Sequence, residues 1–121
     1  MIIIDYKDVR PIYEQVVDKF QTLIIKGALK PDSQMPSVRS LAVDLSINPN
    51  TIQKAYAELE RRGFIYTVKG RGSFISESGS FRQYVIEELK TKLKDIVEQA
   101  ENIGISKERL ALYISKGEEG L

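Results

Sequence analysis

The chain has 121 residues, 42% of them hydrophobic, and carries 18 Lys and Arg against 17 Asp and Glu for a net charge of +1. That composition excludes a disordered chain, and the length allows one domain with an appendage or two small units. There is no Cys and no His, which excludes a disulfide framework, metal sites built on Cys or His, and Ser-His-Asp or Cys-His catalysis.

In chain order, Met1 to Asp8 places three isoleucines beside Asp5 and Asp8 and reads as an ordered tail covering the core, with an arm or strand against a partner as the alternative. This start is too short and too acidic for a signal peptide, and no apolar run reaches membrane-spanning length. A cytoplasmic location is therefore the expectation. Pro11 opens a helix that runs to about Lys26, with Ile12, Val16, Phe20, Leu23 and Ile24 on one face and Gly27 at its end. The segment GALKPDSQMP is a connecting loop by its Gly, Pro, Asp and Ser content.

Ser37 is the expected N-cap of a short helix that buries Val38, Leu41, Ala42 and Leu45 and leaves Arg39 outside in the first turn. A cation there opposes the helix dipole, so its use is to meet a phosphate or a base. Ser46-Ile47-Asn48 is long enough only to turn the chain sharply. Asn48 then caps a second helix with Pro49 at its first position, where the missing N–H is not needed. Ile52, Ala55, Tyr56 and Leu59 form its buried stripe, while Asn50, Thr51, Gln53, Lys54 and Ala57 crowd hydrogen-bonding and cationic groups at its N-terminal end. Taken alone, that face reads sooner as a merely solvated one, as most polar helix faces are. Asp44 and Glu58 read as solvated helix charges, not as a catalytic pair. Phe64–Val68 and Ser73–Ser76 flank Lys69, Gly70, Arg71 and Gly72 as strands around a tight turn, and a glycine-rich cationic tip can approach a sugar-phosphate backbone closely. Helix, turn, helix and hairpin in this order are the layout of a winged helix-turn-helix.

Glu77 to Ser80 reads as a hinge. A long helix follows from about Phe81 to Asn102, with Phe81, Val85, Leu89, Leu93, Ile96, Ala100 and Ile103 stepping by four and three. Gly104 breaks it, Ser106 can cap a successor with Leu110, Ala111, Tyr113 and Ile114 on one stripe, and GEEGL is a frayed end. Two helices cannot bury both stripes on each other, so a homodimer is expected, with Phe81, Val85, Leu89, Leu93, Ile96, Leu110, Tyr113 and Ile114 at its interface. A compact monomer is the alternative. The neutral total charge hides an asymmetry: residues 1–76 hold eleven Lys and Arg against eight Asp and Glu, and residues 77–121 hold seven against nine. So small an excess makes DNA affinity depend on a few placed cations and on pairing two domains.

The run PSVRSLAVDLSINPNTIQKAYAELERRGFIYTVKGRGSFI, with PIYEQ ahead of it, resembles the DNA-binding domain of the GntR family of bacterial transcription regulators, most closely its YtrA subfamily. The resemblance covers roughly residues 10 to 76. It departs at Asp32 and Ser46, where the family usually has glycine; a left-handed Ser46 would cost on the order of 1 kcal/mol. The resemblance implies an α+β fold with a winged helix-turn-helix over residues 1–76 and a two-helix dimerisation and effector region over residues 77–121. It also implies DNA contacts from Arg39, the Asn48–Lys54 segment and Lys69, Gly70 and Arg71; with the Ser37 cap, the expected set is Ser37, Arg39, Asn48, Asn50, Thr51, Gln53, Lys54, Lys69, Gly70 and Arg71. The implied partner is double-stranded DNA with a palindromic operator, bound by a homodimeric repressor with no cofactor, and commonly one acting on transporter operons. The same family pattern places a short strand beside the wing at Ala28-Leu29. Some 45 residues cannot form the larger effector or pyridoxal-phosphate domains of other subfamilies. A small-molecule effector would sit where Phe81, Tyr84 and Tyr113 supply apolar surface, although aromatics at helical spacing are more often core. A winged helix that binds protein is the competing function, and no residue pattern suggests an enzyme.

Overall fold

The computed structural model describes residues 2–117. In order it has α1 (Ile12–Ile25), α2 (Val38–Leu45), α3 (Pro49–Arg61), β1 (Ile65–Val68), β2 (Gly72–Ile75), α4 (Ser78–Asn102) and α5 (Lys107–Lys116). The chain divides into two compact units, residues 1–83 and residues 84–121, with the division inside α4.

In the first unit, α1 starts at Pro11, whose fixed φ suits a helix start. Its end is closed by two backbone bonds, from Gly27 N–H to the Ile24 carbonyl and from Ala28 N–H to that of Leu23. Val16, Val17, Phe20 and Ile24 of α1 are buried with Leu41 and Ala42 of α2, Ile52, Ala55, Tyr56 and Leu59 of α3, and Phe64, Ile65 and Ile75 of the hairpin. Each such side chain stabilises the fold by roughly 1.5–3 kcal/mol. The Phe20 ring meets Tyr56 edge-on, at 6.0 Å and 89°. The buried stripe of α3 is the one its sequence spacing gives.

The strands pair antiparallel, with Ile65 opposite Ile75 and Val68 opposite Gly72. The expected partner beside the wing, Ala28-Leu29, is not used, because both N–H groups are turned back to the Leu23 carbonyl by the end of α1. Gln34 bridges Phe74 instead, flanked by bonds from Met35 N–H to the Ser73 carbonyl and from Ile75 N–H to that of Ser33.

The N-terminal segment reaches the core through Ile2, while Ile3, Tyr6 and Val9 stay exposed. Ile2 is buried, and the buried Gln15 side chain accepts from Asp5 N–H at 2.9 Å and donates to the Asp5 carbonyl at 3.0 Å. Gln15 thereby takes the place of a neighbouring strand.

The expected hinge at Glu77–Ser80 is helical from Ser78 onward. The cause is packing: a Cβ on Gly63 would lie 2.2 Å from the Ser80 carbonyl oxygen, so the first turn of α4 sits directly on the end of α3. Phe81 follows and stacks on Phe64 at 4.6 Å and 15°. Phe81 is therefore a core residue of the first unit and is corrected from the expected dimer stripe.

In the second unit, α4 ends at Gly104 and Ser106 caps α5 by accepting from Arg109 N–H at 3.2 Å. Ala100 near the end of α4 is buried. Beyond Gly117, the expected frayed end lies outside the described residues. No helix among the described residues is long and apolar enough to cross a membrane.

Candidate DNA interface

The site begins with two helix caps. Ser37 Oγ accepts from Ser40 N–H at 3.0 Å, and Asn48 Oδ1 accepts from Asn50 N–H at 2.8 Å. Both polar side chains are thus occupied in ordering a helix start. Ile47 and Ser46 close α2 with backbone bonds to Ala42 and Val43, and Ser46 takes the left-handed conformation, φ 55°. That single residue allows the tight turn between α2 and α3.

On the outer side of α3, Asn50, Gln53 and Lys54 are exposed and Thr51 is half-buried. Arg39 is exposed in the first turn of α2. At the hairpin, Arg71 N–H bonds the Val68 carbonyl at 2.9 Å, closing a turn with Gly70 at φ 78°. Gln34 Nε2 donates to the Arg71 carbonyl at 2.7 Å and lies 3.1 Å from where a Gly72 Cβ would be. This residue, absent from the sequence expectation, fixes the wing tip; no local pattern signals it, since its partner is 37 positions away.

The structure brings Ser37 and the tip residues Lys69, Gly70 and Arg71 together as walls of one groove of about 390 Å³, with Tyr56 among its lining residues. Tyr56 Oη donates to the Pro36 carbonyl at 2.8 Å, and burial raises its pKa. It remains a neutral tether between α3 and the approach to α2.

The cations named so far and those just before α1 and at the end of α3 differ in their partners. Arg10 is paired with Asp8 and Asp18, and Arg61 and Arg62 with Glu58 at 2.5 and 2.6 Å. The two guanidiniums hold the Glu58 carboxyl down at about 2. Arg62 also donates to Gln21 Oε1 at 2.9 Å. Arg39, Lys69 and Arg71 form no ion pair among the described residues. Lys54 differs from both groups: its ammonium lies 4.1 Å from the centre of the Tyr13 ring. Asp44 and Glu58 form no cluster, and no group of acidic residues suited to a metal ion occurs among the described residues.

A capped two-helix motif with a tight left-handed turn, backed by α1 and followed by a cationic hairpin, defines a winged helix-turn-helix DNA-binding protein. Residues 12–75 match the family model for bacterial regulatory proteins of the gntR family. The HTH-type transcriptional repressor YtrA of Bacillus subtilis (strain 168) is 41% identical over 118 residues, 96% of this chain and 91% of that protein. A transcriptional regulator from Oenococcus oeni has a similar crystal structure, with a TM-score of 0.77 and 33% identity over 95% of this chain and 94% of that one. The AraR DNA-binding domain, solved in complex with an operator, superposes with a TM-score of 0.54 and 28% identity, over 63% of this chain and 93% of that one. The chain belongs to the GntR family, and within it to the YtrA subfamily. It is a DNA-binding transcriptional regulator and not an enzyme.

Proposed function

We propose that the chain is a cytoplasmic repressor that binds a palindromic operator as a homodimer. Residues 1–76 would read the DNA, and residues 77–121 would form the dimer and house any small-molecule effector; a transporter operon is the expected target. One observation carries the reading of the DNA face. Ion-paired cations lie at Arg10, Arg61, Arg62 and Lys90, whereas Arg39, Lys69 and Arg71, which stand on α2 and at the wing tip, have no ion pair among the described residues. The same is true of Lys7, Lys19, Lys26 and Lys30 away from them. Unpaired exposed cations are available to phosphates and base edges, and each phosphate neutralised releases counterions. The caps leave Asn50 and Gln53 as the exposed amides of α3, suited to adenine edges. Arg39 is suited to guanine.

The dimer reading rests on the second unit. Leu93, Ile96, Val97, Leu110, Ala111, Tyr113 and Ile114 line an apolar groove of about 520 Å³ between α4 and α5. Leu89, Leu93 and Ile96 are each more than half exposed, at 54–57%, which a partner copy would cover.

The test is a gel shift with the DNA upstream of the protein's own gene. Arg39→Ala should weaken binding by about 1–3 kcal/mol with an unchanged thermal melt. Failure of the unaltered protein to bind that DNA, or any duplex enriched from a random pool, overturns the reading.

A further inference from the structure

The residue that sets the geometry of Lys54 comes from α1, outside the helix-turn-helix. The Lys54 ammonium is 4.1 Å from the centroid of the Tyr13 ring, and one further cross-helix contact shows how that ring arrives there. Gln21 meets Arg62 at 2.9 Å, so Tyr13 with Lys54 and Gln21 with Arg62 are both 41 positions apart. The two helices therefore run side by side in the same direction, and the start of α1 lies beside the start of α3. A flexible lysine stem is normally free among many rotamers, and fixing it on binding costs free energy. A ring face that holds the ammonium in advance removes part of that cost.

The position of the ring also sorts the roles on the helix. Tyr13 draws the cation sideways from α3 toward the flanking α1. A helix seated in the major groove has the sugar-phosphate backbone on its flanks and base edges beneath it. In that seating Lys54, held toward α1, would meet the flank, whereas the exposed amides of Asn50 and Gln53 have no such lateral hold among the described residues.

We propose that Tyr13 is a positioning residue of the DNA interface, whose ring face holds Lys54 as a preordered phosphate contact. The proposal rests on the DNA-binding reading above. Tyr13 touches Lys54 and needs no contact with DNA for this. An ordinary exposed cation–π contact corresponds to a two- to fivefold change in an equilibrium.

The experiment uses the full chain and two probes of equal length: a duplex enriched by this protein from a random pool, and its scrambled counterpart. Lys54→Met should weaken binding to both duplexes by a similar factor and lower the salt slope by about one phosphate's worth. Tyr13→Leu should weaken both two- to fivefold with the slope retained, while Tyr13→Phe, which keeps the ring face, should bind as the unaltered protein does. In the Lys54→Met background, Tyr13→Leu should have no further effect. In the free protein, the Lys54 side-chain protons should be shifted upfield by the ring current in the unaltered and Tyr13→Phe forms, and not in Tyr13→Leu. An equal loss from Tyr13→Leu with and without Lys54, or a Tyr13→Phe loss as large as that of Tyr13→Leu, overturns the proposal and leaves the DNA-binding reading standing. If the unaltered protein enriches no duplex, both are overturned.

Discussion

At the scale of single residues, Ser46 shows where this chain departs from its own rule. The helix ends at Gly27, Gly63 and Gly104 each have the residue after the last turn at positive φ, with its own N–H bonded back three residues and the following N–H bonded back five. At the end of α2 the same two bonds form, from Ile47 to Ala42 at 2.9 Å and from Ser46 to Val43 at 3.2 Å, but the residue at φ 55° is a serine. A Cβ in that conformation costs on the order of 1 kcal/mol, part of which glycine would lose again through its freer unfolded chain. Ser46→Gly should therefore raise stability by roughly 0.5–1 kcal/mol, seen as a higher urea midpoint at unchanged m-value, with operator affinity retained. Asp32 is also left-handed, at φ 65°, yet its carboxylate accepts from Tyr66 Oη at 2.7 Å. Its replacement by glycine would relieve the backbone and break that bond, so no comparable gain is expected there.

At the scale of elements, the recognition helix is anchored at its far end by charge. Glu58 receives Arg61 and Arg62, and Arg62 reaches on to Gln21 of α1. Because the folded carboxyl titrates at about 2, below its ordinary 4.5, its contribution is fully present above the unfolded value and is lost as pH falls from about 4.5 towards 2. Glu58→Gln should cost roughly 0.5–1 kcal/mol at neutral pH, the scale of partly exposed pairs. The gap between the two proteins should narrow in denaturant titrations repeated near pH 3 and close only as pH approaches 2. The elements themselves were readable because their signals are local. Caps at Ser37, Asn48 and Ser106, Pro49 at a first helical position and the spacing of Ile52, Ala55, Tyr56 and Leu59 all act within one or two turns. What could not be read depends on neighbours distant in sequence. Ser78–Ser80 look like a flexible linker by composition, yet they are the small residues that let a backbone approach Gly63. Phe81 fits the periodic stripe of α4 equally well whether its neighbour is Phe64 or another copy. Gln34 and Tyr13 shape the candidate site through partners 37 and 41 positions away, and no periodicity carries that information.

At the scale of the whole molecule, the two units divide the charge, and the DNA-facing one holds an excess of only three cations: eleven Lys and Arg against eight Asp and Glu over residues 1–76. Three of those eleven, Arg10, Arg61 and Arg62, are ion-paired within the described residues, and of the other eight only Arg39, Lys54, Lys69 and Arg71 stand on α2, on α3 or at the wing tip. In the proposed homodimer, affinity for an operator would come from two domains bound at once, and the coupling between them from the apolar surface of α4 and α5. Placing a charge in that surface tests the dependence directly. Leu93→Glu combined with Ile96→Glu alters side chains that are more than half exposed within one copy, so the winged unit should melt as before. Each substitution occurs twice across a two-fold interface, and every buried Leu or Ile there is worth roughly 1.5–3 kcal/mol. The altered chain should sediment as a monomer where the unaltered one sediments as a dimer. Its plot of log affinity against log salt should show about half the slope, since half the phosphate contacts remain. A dimer that persists with both glutamates in place would move the interface away from Leu93 and Ile96; an unaltered chain that is already monomeric while binding a palindrome would remove the homodimer from the mechanism.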